Sequence, residues 1–291
     1  MTIQWYPGHM AKALREFKEK LALVDIVYEL RDARVPMSSQ NPEIDKAVGD
    51  KPRIILLMKS DLADQSLTDQ WINEFNSQGI RVAAINGKND KDMKAIQKLT
   101  EEALSDMVDK RLEKGMKEKA TRAIIVGVPN VGKSTLINRL ARKKSAKTGN
   151  TPGVTKKQQW IKFGNNIELL DTPGILWPKF ENQEVGYRLG VTGAIPNRLL
   201  HMDDIALYAM KELDEHYPGT LADRYKLSEE EDQLDLPNKL LAITKKRGMQ
   251  DDYERGAETI ITEIRKGILG KISFDRIDED LWEEADDEDT E

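Results

Sequence analysis

Residues 127–134 read Gly-Val-Pro-Asn-Val-Gly-Lys-Ser, and this octet constrains the fold more than any other part of the chain. It follows the apolar run Ala123-Ile124-Ile125-Val126 and precedes a helical pattern starting at Leu136–Leu140. A buried strand, a glycine-rich turn and a helix in that order make a loop whose backbone N–H groups converge on an anion at the helix N-terminus. Glycine is required where the backbone must curl without a Cβ in the way. Pro129, Asn130, Val131, Gly132 and Thr135 then line a phosphate cradle, the Lys133 ammonium reaches the outer phosphates, and the Ser134 hydroxyl binds Mg²⁺. The alternative is a glycine-rich turn before a helix that holds no ligand.

Two further segments have the order and spacing that phosphate chemistry needs. Asp171-Thr172-Pro173-Gly174 closes the apolar run Ile167–Leu170. Its carboxylate is expected to hold Mg²⁺ through water, and the Gly174 N–H to meet a terminal phosphate. Between the two motifs lies Asn150-Thr-Pro-Gly-Val-Thr155, where Thr155 is expected to ligate the metal once that phosphate is present. The base is read elsewhere. Lys59-Ser60-Asp61 follows the apolar run Ile54–Leu57 and resembles the N-K-x-D motif that reads guanine. A carboxylate at position 61 accepts from guanine N1–H and from the exocyclic amine, a donor pair that adenine lacks. Asn86 and Gly87 follow the next strand pattern, at the place of a backbone contact to the guanine oxygen. Met58 stands where the motif has Asn, whose amide braces the base against the phosphate loop; its replacement is expected to weaken GTP and GDP binding while Asp61 still selects guanine.

The base reader precedes the phosphate loop by more than sixty residues, the reverse of the ordinary order. A parallel sheet tolerates this when the old termini are joined and the chain opens elsewhere, because domain ends lie close together. Residues 92–122 are the expected joining segment. Apolar runs at 25–30, 53–58, 82–85, 123–126, 159–163 and 167–170 read as strands, the last two as a hairpin across Gly164-Asn165-Asn166. Residues 10–24, 67–78 and 92–119 read as helices, with His9 in a loop ahead of the first. Strands alternating with helices give an α/β class: a circularly permuted P-loop GTPase domain with a mostly parallel sheet covered on both faces. Beyond residue 180 only helices are expected, at 203–216, 238–247 and 252–269, with Asp203 and Asp251 or Asp252 as caps. The expected division is a nucleotide domain over 1–180, a small all-α domain over 181–275 that binds RNA, and an acidic, disordered tail over 276–291.

Composition sets the remaining bounds. The chain has no cysteine, which excludes disulfides and thiolate metal sites, and no stretch of membrane-spanning length. Its start lacks the basic and apolar pattern of a secretory signal, so a cytoplasmic protein with no membrane partner is expected. The net charge of −6 hides an asymmetry: residues 275–291 carry −10, leaving +4 on the rest. Eight Lys or Arg and no acid lie between Arg139 and Lys162. Such a field attracts polyanions or is a solvated basic face, and charge alone leaves both open.

The start Trp5-Tyr6-Pro7-Gly8-His9-Met10, the rotated motifs and the end Gly267-Ile268-Leu269-Gly270-Lys271 resemble the ribosome biogenesis GTPase A family, the YlqF/RbgA group of circularly permuted GTPases. The resemblance implies a bacterial cytoplasmic enzyme, monomeric and Mg²⁺-dependent, that hydrolyses GTP to GDP and phosphate. It also implies action late in assembly of the large ribosomal subunit, through rRNA and ribosomal protein surfaces, with release after hydrolysis. Ile175 stands where many GTPases carry a water-orienting Gln, and the resemblance gives the catalytic task to His9, beside Lys133, Thr155 and Gly174 at the γ-phosphate. A loop or rRNA contact is the other role open to His9. Asn130 matches an Asn with which related GTPases bind K⁺, and simple bracing of the loop is its other role. Two further functions compete: a GTP-dependent switch on another RNA or a protein, with slow hydrolysis, and a nucleotide-binding scaffold that hardly hydrolyses.

Overall fold

The computed structural model describes residues 7–87, 90–115, 119–141, 160–163, 166–279 and 281. The apolar runs become β1 (Ile26–Asp32), β2 (Arg53–Met58), β3 (Arg81–Ile85), β4 (Thr121–Gly127), β5 (Trp160–Phe163) and β6 (Ile167–Asp171). They form one sheet in the order β3-β2-β1-β4-β6-β5, parallel except for β5, which pairs antiparallel with β6 at one edge. Successive side chains alternate between its faces. Val27, Ile124, Val126 and Leu170 meet α1 (Gly8–Lys20) and α2 (Pro42–Val48), while Ile55, Leu57 and Val82 meet Trp71 and Phe75 of α3 (Gln65–Ser77). On the other face Tyr28, Leu30, Ile54, Leu56 and Ile125 share a core with α4 (Asp90–Glu113) and α5 (Lys133–Leu140).

The joining segment is mainly α4, whose 24 residues are about 36 Å long. It leaves the edge strand β3 and runs back toward the centre of the sheet. Thr100, midway along it, shares a 2.8 Å hydrogen bond with the Tyr28 hydroxyl on β1. Near its end Arg111 donates to Asp25 at 3.0 Å, and the same carboxylate takes the Arg122 N–H at 2.9 Å as β4 begins. The chain is thereby returned to the middle of the sheet, where β4 pairs with β1.

After β6 no further strand occurs among the described residues. The helices are α6 (Gln183–Thr192), α7 (Met202–His216), α8 (Thr220–Tyr225), α9 (Glu229–Asp232), α10 (Leu236–Lys246) and α11 (Tyr253–Arg265). The sequence reading differs from this in several places. His9 is the second residue of α1 rather than part of a loop before it. α2 and α6 were not foreseen, although each has a clear start: Asn41 before Pro42, and Asn182 before Glu184, each side chain accepting the N–H two residues on. Gly186 and Gly190 dilute the apolar periodicity of α6. His201, with no side-chain cap, precedes α7, and Asp203 lies inside its first turn. Asp252 caps α11 by accepting the Arg255 N–H.

The acidic run begins inside the fold, so a free tail does not start at 276. From Ile272 the chain returns across the sheet domain as a strap. Ile272 N–H donates to the Leu62 carbonyl at 3.1 Å, and Phe274 N–H to that of Arg34 at 2.8 Å. Asp275, with no exposed surface, accepts from the N–H groups of Met37 and Ser38 at 2.7 and 2.8 Å and from the Ser38 hydroxyl at 2.6 Å. It also pairs with Arg188 of α6 at 3.1 Å, itself tied to Glu279 at 2.6 Å. Leu281 is buried, and residues 282–291 lie outside the described residues. Removing one side of a buried ion pair leaves the other charge uncompensated. Asp275→Ala is therefore expected to cost about 3–5 kcal/mol in urea unfolding; a loss below about 1 kcal/mol would show that the strap contributes little.

Candidate functional site

Strand register sets the site. Leu30 on β1 lies opposite Gly127 on β4, Asp32 opposite Met58 on β2, and Ile125 opposite Asp171 on β6. The loops leaving these strands therefore emerge side by side at the carboxyl end of a parallel sheet, the usual place for a ligand in such folds. Gly132, at φ +109°, turns the chain into α5. The Met58 methyl lies 3.3 Å from where a Cβ on Gly132 would stand and 3.9 Å from that of Gly87. The residue that replaces the expected Asn thus packs between the phosphate loop and the loop after β3.

Two motif residues occupy the left-handed region without being glycine: Lys59 at φ +59° and Asn130 at φ +57°. Such conformations cost on the order of 1–2 kcal/mol and persist where surroundings enforce them. Lys59 is held by Asp32, its ammonium donating to Oδ2 at 2.9 Å. Arg34 grips the same carboxylate with Nε at 2.9 Å and Nη2 at 2.8 Å. Burial alone would raise the Asp32 carboxyl, but the charges of Arg34 and Lys59 hold it well below the usual carboxylate range. The Lys59 ammonium is pushed down, mainly by burial, which outweighs Asp32.

A cleft of about 850 Å³ opens beside these groups. Met58, Lys59, Asp61, Asn86, Asn130, Gly132 and Thr135 line it together with Thr192, Gly193, Asn197, Arg198, Arg265 and Lys266. The Lys59–Asp61 loop and the start of α5 therefore meet at one cleft despite their reversed order in sequence. The C-terminal end of α6 also reaches it, and the last carbonyls of a helix lack partners within the helix. Asn130 donates to the Gly193 carbonyl at 2.8 Å, Arg34 to Thr192 at 3.4 Å, and Arg265 to Val191 at 2.8 Å and Gly190 at 2.6 Å. Burial, followed by the neighbouring charge of Arg34, lowers Arg265 to about 10. Nη1 of Arg34 is buried at the cleft with no hydrogen-bond partner among the described residues.

The phosphate half is arranged differently. Lys133 is buried and turned onto Asp171 at 2.8 Å and the Thr172 carbonyl, away from the cleft. Gly174 presses against the phosphate loop: a Cβ there would stand 2.7 Å from the Pro129 Cα, which only glycine avoids. Ser134 follows Lys133 in the first turn of α5, and Pro129 and Val131 lie in the loop before it. Ser60 is tied by its N–H to the Ile85 carbonyl at 3.3 Å, which joins the loops after β2 and β3. His9 is exposed on α1 and is not among the residues lining the cleft. Thr155 and most of the basic segment from 139 to 162 lie outside the described residues. The sequence reading missed Asp32 and Arg34, although the signal was present: the Arg31-Asp32-Ala33-Arg34 run across the end of a buried strand puts charge where parallel strands end.

A phosphate loop after β4, the Lys59-Ser60-Asp61 motif after β2, and a crossover that returns the chain to the centre of the sheet define a circularly permuted P-loop GTPase. Family models agree: residues 122–245 match the 50S ribosome-binding GTPase model and residues 47–181 the RsgA GTPase model. A relative from Priestia megaterium, ribosome biogenesis GTPase A, is 54% identical over 94% of this chain and 97% of its own. Its counterpart from Thermotoga maritima is 33% identical over 94% of both chains. The crystal structure of GNP-bound YlqF from T. maritima superposes with a TM-score of 0.65 at 29% identity, covering 91% of this chain and 98% of that one. The chain belongs to the ribosome biogenesis GTPase A family. Met58→Asn exchanges an apolar contact for an amide able to brace the base, and should tighten GDP about five- to tenfold by titration calorimetry; unchanged or weaker binding would count against this role for position 58.

Proposed function

We propose that this chain is a GTP-driven assembly factor of the large ribosomal subunit, which binds the maturing particle in the GTP state and leaves after hydrolysis. The observation that carries the reading is the single cleft that Asp61, Asn86, Gly132 and Thr135 line together with Gly193 and Arg265 of the helical part. Asp61 selects guanine, Lys59, Ser60, Asn86 and Gly87 shape the base pocket, and residues 129–135 cradle the phosphates. Arg34 Nη1 is a buried donor suited to an acceptor on the nucleotide. Ser134 and Asp171 offer hydroxyl and carboxylate oxygens, the hard donor set that suits Mg²⁺. Bound there, the ion would neutralise charge on the phosphates. Lys133 then exchanges Asp171 for phosphate oxygens, and Gly174, in contact with Pro129, reports on the outermost phosphate.

The helical domain is the output. In this conformation Asn130 braces Gly193, so the bracing role is the one its geometry supports; a role in holding K⁺ is separable by comparing turnover in K⁺ and Na⁺ salts. His9 orients the attacking water, in the task that Ile175 cannot perform. Thr155 joins the metal site when GTP is bound. Residues 1–180 act as the nucleotide domain and 181–275 as the RNA-binding domain of a cytoplasmic monomer. The contacts to rRNA are mainly to phosphates and weaken steeply with salt.

Turnover measured with and without purified large subunits tests this function. Strong stimulation is expected, and His9→Ala should remove most of it while GDP affinity survives. Equal turnover in both proteins would take His9 out of the mechanism, and a rate indifferent to subunits would leave a switch acting on another RNA or protein.

A further inference from the structure

We propose that Asp92 is a positioning residue of the guanine site: its carboxylate holds the backbone N–H of Gly87 and so fixes the Asn86–Gly87 turn that lines the cleft with Asp61. The inference rests on the nucleotide reading above and adds a residue to it. Asp92 is the third residue of α4 and only 7% exposed. Its Oδ2 accepts the Gly87 N–H at 2.8 Å, and the neighbouring Asn86 N–H helps to hold the carboxyl down. A charged acceptor makes the bond to Gly87 stronger than one to a neutral oxygen. Gly87 takes φ +73° in that turn, where the Met58 methyl and Thr135 lie against it. The Ile85 carbonyl just before it receives the Ser60 N–H, so movement of this turn is passed directly to the base-reading loop.

Charge makes the placement costly and therefore informative. Burial pushes the Asp92 carboxyl up; the two N–H groups and Arg139 oppose that, and the Asp61 carboxylate adds to it. A neutral Ser or Asn could accept the Gly87 N–H without putting a second carboxylate within electrostatic reach of Asp61. The charge strengthens that bond. One carboxylate of the pair thus faces the backbone of the loop, while Asp61 faces the cleft.

Asp92→Asn, nearly identical in shape, keeps one acceptor oxygen and loses the charge. In the full-length protein it should raise KM for GTP and weaken GDP binding about tenfold, with kcat at saturation within about twofold and the melting temperature within about 2 °C of the parent. Asp92→Glu, which restores the charge on a longer arm, should recover part of the affinity. Unchanged KM and GDP affinity in Asp92→Asn would overturn the proposal, as would a loss of affinity that merely follows a falling melting temperature. If the parent protein itself bound no guanine nucleotide, the nucleotide reading would fail first, a result distinct from either.

Discussion

The parallel pairing of β1 with β4, Leu30 against Gly127, is the constraint on which the site depends. In a parallel sheet every strand delivers its following loop to the same edge, and sequence order does not affect which loops meet there. The phosphate loop leaves β4, the Asp171 loop leaves the neighbour β6, and the Lys59–Asp61 loop leaves β2, one strand beyond β1. Rotation of the chain is therefore compatible with the same cradle, provided one long crossover restores the register. α4 supplies that crossover, pinned at its middle by Tyr28 and at its end by Asp25.

Rotation also has a mechanical consequence. The segment beyond Gly174 runs straight into α6, and the end of α6 returns to the cleft, where Asn130, Arg34 and Arg265 cap its carbonyls. A helix end carries partial negative charge, so cationic and amide donors there are favourable. The strap at residues 272–279 makes a second connection, between the helical domain and the loops after β1 and β2. The helical domain is thus attached beside Arg34 and Leu62 as well as through Asn130. The left-handed backbones of Lys59 and Asn130 lie at these two junctions, where the surroundings hold a conformation the residues would not adopt alone.

The ion pairs divide by purpose. Arg188–Asp275 is fully enclosed and surrounded by further hydrogen bonds, which is the condition under which a buried pair holds two elements together. Lys133–Asp171 is also buried, though less completely, and both groups are ones that phosphate chemistry would recruit, so this pair is suited to exchange. The Asp32 cluster lies between these cases: Arg34 fixes the carboxylate, and the carboxylate fixes Lys59 in its strained backbone.

What the sequence determined by itself is what short segments encode: the strand–loop–helix of the phosphate loop, the apolar strands and the reversed order of their motifs. Each rests on periodicity or on residue spacing within a few positions, where local sterics and burial decide the outcome. The partners of Asn130, Arg188 and Asp275 were not determined in that way. Their contacts join residues 63, 87 and 238 apart, and no local pattern distinguishes an acidic residue that will be buried at a domain junction from those of an exposed run. Only the packed sheet and helices brought Arg188, Met37 and Ser38 to Asp275. A buried charge is stable only where donors converge on it, and that convergence exists in the tertiary structure alone.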